Sequence, residues 1–178
     1  MTTDKIYLIG FMASGKSTVG RALALRLGWR AEDVDDLIER RERHTVSEIF
    51  AAQGEPYFRG VEREILTLLQ PIRHAVVATG GGTFADADNR ALINMDGVSV
   101  WIDVPLADVI PRIPLDGRRP LAASRADLER LYAARVDTYR LAHVRVPGSR
   151  LPTQVTVDRI LEAIHDLPPF FDRTASTS

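Results

Sequence analysis

The residues best suited to chemistry begin at Gly10-Phe11-Met12-Ala13-Ser14-Gly15-Lys16-Ser17-Thr18. This stretch fits the phosphate-loop pattern G-x-x-x-x-G-K-[ST], which aims backbone N–H groups and the positive end of a helix at one anion. Lys16 can reach the β- and γ-phosphates of a nucleotide there, and the Ser17 hydroxyl can ligate Mg²⁺. Of the 23 lysines and arginines in the chain, only Lys5 and Lys16 are lysine. In a chain that otherwise takes its positive charge from arginine, a compact ammonium in this slot is a selective feature. The surroundings agree: Ile6-Tyr7-Leu8-Ile9 reads as a buried strand, and Val19, Leu23 and Leu27 follow at helical spacing. These residues imply a bound nucleoside triphosphate.

Four further groups could act with the loop. Asp33 and Asp35 close a short second strand, at the edge where open α/β sheets bind ligands. Two residues apart on an extended segment, they would point the same way, one toward a magnesium shell and the other toward a substrate hydroxyl. Acidic residues before a helix also serve as caps, and the pattern alone leaves both readings open. Arg59 could grip a carboxylate bidentately with Glu62 orienting it, or the two could be a surface i, i+3 pair. Gly80-Gly81-Gly82 ends a buried strand and would expose backbone N–H groups at a cleft, or serve only as a flexible turn. From Pro111 to Ser124, Pro111, Pro114, Gly117 and Pro120 alternate with Arg112, Arg118 and Arg119, as in a lid that brings arginine onto a phosphate or in a solvated basic loop. His44, His74, His143 and His165 have no metal-ligand spacing.

These groups need elements to position them. The first helix closes at Gly28-Trp29, and Arg30-Ala31-Glu32 forms the second strand. A helix is expected over about Leu37–Arg43, with Asp36 at its start. Thr45 and Glu48 make a capping box for the next one. Gly54-Glu55-Pro56 interrupts that helix, and a longer one runs from about Tyr57 to Leu69 before Pro71. Ala75–Thr79 is the third strand, Asp86–Ile93 a helix and Val98–Ile102 the fourth strand. Pro105 opens another helix. Arg125–Leu141, Val144–Val146 and Gln154–His165 then read as helix, strand and helix, with a frayed polar end from Pro168. Strands alternating with helices imply an α/β sandwich with a parallel sheet.

Composition excludes several classes. At 178 residues, with 45% hydrophobic and 26% charged residues, the chain reads as one soluble domain. A net charge of −1 offers no basic footprint for nucleic acid. The absence of cysteine removes disulfides and thiol chemistry and suits a reducing cytosol. We expect no signal peptide and no membrane span.

Taken together, the phosphate loop, Asp33-x-Asp35, Phe58-Arg59-x-x-Glu62, Gly80-Gly81-Gly82, Arg119-Pro120-Leu121 and Arg135-x-x-x-Tyr139 resemble the shikimate kinases in order and spacing, over about residues 6–164. The resemblance implies a nucleoside-monophosphate-kinase-like P-loop fold, a three-layer sandwich with a five-stranded parallel sheet in the order 2-3-1-4-5. It implies ATP-dependent phosphorylation of the shikimate 3-hydroxyl, on the route to chorismate and the aromatic amino acids. Carried onto this sequence, Ala13, Ser14, Gly15, Lys16, Ser17 and Thr18 hold ATP, with Arg112 against adenine and Arg119 on the phosphates. Ser17 ligates Mg²⁺ directly and Asp33 does so through water. Asp35 binds the shikimate hydroxyls and accepts the proton, Arg59 and Arg135 clamp the carboxylate, and Gly81 adds a backbone contact. Lys16, Asp35 and Arg119 form the catalytic set. The expected organisation is one domain over residues 1–167, with a substrate-binding region at 33–62, a lid at 112–124 and a disordered tail at 168–178. A cytoplasmic monomer without nucleic-acid or membrane partners completes the expectation. The rival readings are another small-metabolite or nucleotide kinase, and a nucleotide-binding switch; no N-K-x-D guanine motif is present.

Overall fold

The computed structural model describes residues 3–113, 124–149 and 151–168. Five parallel strands form one sheet in the order β2-β3-β1-β4-β5. They are β1 (Lys5–Ile9), β2 (Arg30–Asp33), β3 (Ala75–Ala78), β4 (Val98–Asp103) and β5 (Val144–Pro147). In register, Ile6 lies beside Val76 and Val98, and Leu8 beside Ala78 and Val100. The three inner strands are almost wholly buried, as expected of parallel strands covered on both faces. The edge strands are polar instead. β2 reads Arg-Ala-Glu-Asp, while β5 alternates buried Val144 and Val146 with exposed Arg145 and Pro147, a proline tolerated only at an edge.

The helices are α1 (Lys16–Leu27), α2 (Val34–Glu42), α3 (Val46–Leu69), α4 (Ala87–Asp96), α5 (Leu106–Val109), α6 (Arg125–Tyr139) and α7 (Thr153–His165). With parallel strands in this order, the right-handed crossover rule assigns α1 to one face of the sheet and α3 and α4 to the other. α1 packs against β2, β3 and α7, and α3 packs against α2 and α4. Gly28, in the left-handed conformation, closes α1 by donating to Ala24 and Leu25 carbonyls, as its position in the sequence implied. Thr45 and Glu48 form both halves of the expected capping box.

One local expectation changes. α2 starts at Val34 rather than about Leu37, because the Asp33 carboxylate accepts the N–H groups of Asp35 and Asp36 and nucleates the turn at once. The interruption expected at Gly54-Glu55-Pro56 is present: Gly54 leaves helical geometry (φ 80°, ψ 172°) and divides α3 into two stretches, and Pro56 restarts the helix where its missing N–H costs nothing.

Beneath the sheet's amino edge lies a buried ion network. Lys5 Nζ donates to Asp96 Oδ2 at 2.6 Å and to the carbonyls of Leu69 and Gln70. The Tyr7 hydroxyl donates to the same carboxylate oxygen, and Arg73 to the other one. Burial lowers the Lys5 pKa, with Asp96 opposing, and raises that of Tyr7. The opposite, carboxyl edge carries the loops after β1, β2 and β3, where the candidate chemistry gathers.

Candidate active site

Between Ile9 and Lys16 the backbone takes positive φ at Gly10 (141°), Ala13 (56°) and Gly15 (93°), curling its N–H groups into one concavity. At Gly15 nothing lies within 4 Å of an added Cβ, so conformation alone demands glycine there. At Gly10 a Cβ would come 2.8 Å from the Ile102 carbonyl, so the loop sits hard against β4. Lys16 is buried and donates to the carbonyls of Gly10 (2.9 Å) and Phe11 (2.7 Å). Its ammonium therefore lies inside the loop curl. Ser14 is also buried, whereas Thr18 is exposed in the first turn of α1.

Ser17, one residue into α1, donates to Asp33 Oδ2 at 2.6 Å. This hydroxyl and carboxylate beside the loop form a pair of hard oxygens suited to Mg²⁺, which needs only one or two protein ligands besides phosphate and water. The other Asp33 oxygen accepts the Asp35 N–H at 3.1 Å. The expectation that Asp33 and Asp35 share an extended segment and point the same way is therefore corrected. Asp33 is extended (φ −125°, ψ 122°) but Asp35 belongs to the first turn of α2. Of the readings left open by the sequence, the cap is observed, at Asp33. Burial, followed by the charges of Asp33 and Glu62, raises the Asp35 pKa to about 6 against a counteracting Lys16.

The three glycines after β3 are where the site closes. A Cβ at Gly80 would lie 3.0 Å from Asp35 Oδ1 and 3.3 Å from Glu62 Oε1. At Gly82 it would lie 2.4 Å from Arg59 Nη2 and 3.0 Å from Arg135 Nη2, and at Gly81 3.2 Å from the Met12 N–H. The missing side chains let a carboxylate from α2, guanidinium groups from α3 and α6, and the phosphate loop converge on one turn. The Arg59–Glu62 pair is not a surface contact. Glu62 is fully buried, accepting from Arg59 Nη1 (2.9 Å), Thr83 Oγ1 (2.6 Å) and more weakly from Asn89 Nδ2 (3.4 Å). Burial would lower the Arg59 pKa, but Glu62 and Glu55 outweigh it and raise it; for buried Arg135 burial prevails and lowers it.

Two contacts absent from the sequence reading brace this cluster. The Tyr139 hydroxyl donates to the Gly81 carbonyl, and the Phe11 ring meets Tyr132 edge-on with centroids 5.3 Å apart. Arg135-x-x-x-Tyr139 had signalled the tyrosine, since one helical turn puts both side chains on one face. Thr83 and Asn89 carried no such signal. Arg112 is exposed in the turn after α5, and Ser149 donates to Asp108 of α5, which brings the loop after β5 to that region. Arg140 pairs with Asp137 on the surface. His143 is tied to Ser99 near the start of β4, away from the site. Arg119 and lid residues 114–123 lie outside the described residues, as does the tail from 169. No helix among the described residues is long and apolar enough to cross a membrane.

A family model described as shikimate kinase matches residues 12–165. A shikimate kinase from Sulfurihydrogenibium sp. is 39% identical over 160 residues, covering 89% of this chain and 96% of that one. The crystal structure of shikimate kinase from Aquifex aeolicus superposes with a TM-score of 0.82 at 35% identity, covering 90% of this chain and 96% of the other. Shikimate kinase from Acinetobacter baumannii in complex with shikimate gives a TM-score of 0.88 at 34% identity, covering 94% and 97%. With a match over most of its length in sequence and in structure, this chain belongs to the shikimate kinase family.

Proposed function

We propose that this protein transfers the γ-phosphoryl group of ATP to the 3-hydroxyl of shikimate, giving shikimate 3-phosphate and ADP on the route to chorismate and the aromatic amino acids. The observation that carries the reading is the convergence of Arg59 and Arg135 on Gly82, beside a carboxylate of raised pKa at the rim shared with the phosphate loop. A small anionic polyol needs a guanidinium clamp at one end and a hydroxyl acceptor at the other. Membership of the family and its shikimate-bound relative support the same substrate.

In this reading Lys16 and the amides of residues 13–18 hold the triphosphate. Arg59 and Arg135 fix the acid, and Gly81 offers it a backbone contact. Ser17 would ligate Mg²⁺ directly and Asp33 through water; the bound ion would neutralise charge on the β- and γ-phosphates. Asp35 accepts the proton of the attacking hydroxyl as the new O–P bond forms and the bond to the β-phosphate oxygen breaks, releasing ADP. Alignment and neutralised charge supply most of the acceleration in such a transfer. Arg112 would face adenine, and Arg119 would bring its charge to the phosphates from a lid spanning residues 112–124. One domain over residues 1–167, acting as a cytoplasmic monomer, completes the proposal.

A coupled ADP-release assay run with and without shikimate tests it. ADP release that depends on shikimate is expected; activity confined to nucleotide acceptors would overturn the assignment.

A further inference from the structure

The guanidinium of Arg59 spends three of its five N–H groups on two glutamates. Its Nη1 binds Glu62, while Nε and Nη2, the side-on fork, both donate to Glu55 Oε1 at 3.2 and 3.0 Å. A bidentate grip on the side-on fork, or one that takes the bonded Nη1 hydrogen, requires that one of the two glutamates give way. They are not equally free to do so. Glu62 has no exposure and is also held by Thr83 and Asn89. The Glu55 side chain is 45% exposed and, among the described residues, is bonded only to Arg59. Glu55 directly follows Gly54, the residue that breaks α3, so it stands at the kink and at the mouth of the site. Together with Arg59, Gly82 and Arg135 it lines a cavity of about 490 Å³.

We propose that Glu55 is an internal competitor for the substrate's carboxylate and thereby a specificity-determining residue: it occupies the fork of Arg59, is displaced by the acid, and keeps other anions off the Arg59–Arg135 pair. The inference rests on the functional reading above, which assigns the arginine pair to the acid. Exchanging one carboxylate for another leaves Arg59 paired throughout. A substrate that also engages Asp35 and Gly81 can drive that exchange. A free inorganic anion lacks those additional holds and is turned away. Glu55 thus lowers the affinity for the acid in return for selectivity.

The test compares wild type with Glu55→Gln and Glu55→Ala at fixed ionic strength, by shikimate and ATP kinetics and by inhibition with inorganic sulfate. Removing the competitor should lower the shikimate KM about two- to fivefold, the scale of one partly exposed ion pair. It should leave kcat and the ATP KM nearly unchanged and lower the sulfate inhibition constant against shikimate by about the same two- to fivefold. A residue that merely props Arg59 would move KM the other way. An unchanged or raised shikimate KM in both variants, or no gain in sulfate inhibition, overturns the proposal while leaving the functional reading intact. Wild-type protein without shikimate turnover would instead sink both.

Discussion

Asp33 accepts the backbone N–H of Asp35 at 3.1 Å while its other oxygen accepts the Ser17 hydroxyl. One carboxylate thus sets the position of another and ties it to the helix that follows the phosphate loop. Because burial and neighbouring charge raise the Asp35 pKa to about 6, kcat/KM should fall as pH drops through about 6 and the acceptor becomes protonated. Asp35→Asn should reduce kcat by at least about a hundredfold with ATP affinity nearly unchanged. The reference point is a pH–rate profile of the wild type; an acid limb centred near the ordinary carboxylate value would remove Asp35 from the role.

The same shift predicts a stability effect of definite sign. The folded state holds this proton more tightly than the unfolded chain, whose carboxylate titrates near 3.8. The contribution of Asp35 to stability therefore declines as pH rises from about 4 to about 6, and stays low above that. Asp35→Asn should then melt higher than wild type at pH 7 to 8, by on the order of 1–3 kcal/mol, with the advantage fading below about pH 4. Thermal melts across that range check it, and a variant less stable at neutral pH would contradict the sign.

Gly82→Ala separates site alignment from folding. The added methyl would meet the tips of Arg59 and Arg135, flexible groups that can shift, and no backbone atom is among its nearest neighbours. Stability should change by less than about 1 kcal/mol, while the shikimate KM rises at least about tenfold. Arg59→Lys should likewise raise KM more than it lowers kcat, since charge remains but the planar fork is lost. Shikimate affinity at wild-type strength in either variant would take the arginine pair out of the site.

Lys16→Ala should abolish measurable turnover while leaving the fold intact, because the ammonium that belongs on the phosphates is gone. Circular dichroism alongside the coupled assay distinguishes lost chemistry from lost structure.

The other lysine makes a prediction about stability alone. Lys5 and Asp96 form a buried pair, with side chains 0% and 3% exposed. Asp96→Ala would leave Lys5 buried without its carboxylate and Tyr7 without its acceptor, costing about 3–5 kcal/mol. Urea unfolding reads this directly, and a loss under about 1 kcal/mol would contradict it.

Much of this architecture could be read without coordinates. The phosphate loop, the capping box at Thr45, the closure of α1 at Gly28 and the buried β-branched runs are local signals, written within a few residues. The parallel order of the strands came from the family resemblance and stands in the sheet. Errors fell where a side chain competes with the backbone: Asp33 began α2 three residues early, and an assumed strand alternation for Asp33 and Asp35 failed with it.

By itself the sequence determined which groups were available and where the chain would turn, because helix caps, glycine conformations and hydrophobic periodicity act over one or two turns. Only the tertiary structure decided how those groups are charged and paired. That Glu62 is buried against Thr83 and Asn89 rather than solvated, and that Gly80 and Gly82 lack side chains that would bar Asp35, Arg59 and Arg135, are relations between segments far apart in the chain. Such relations depend on burial and distance, which no local pattern records, and they set the pKa of Asp35 and the partners of Arg59.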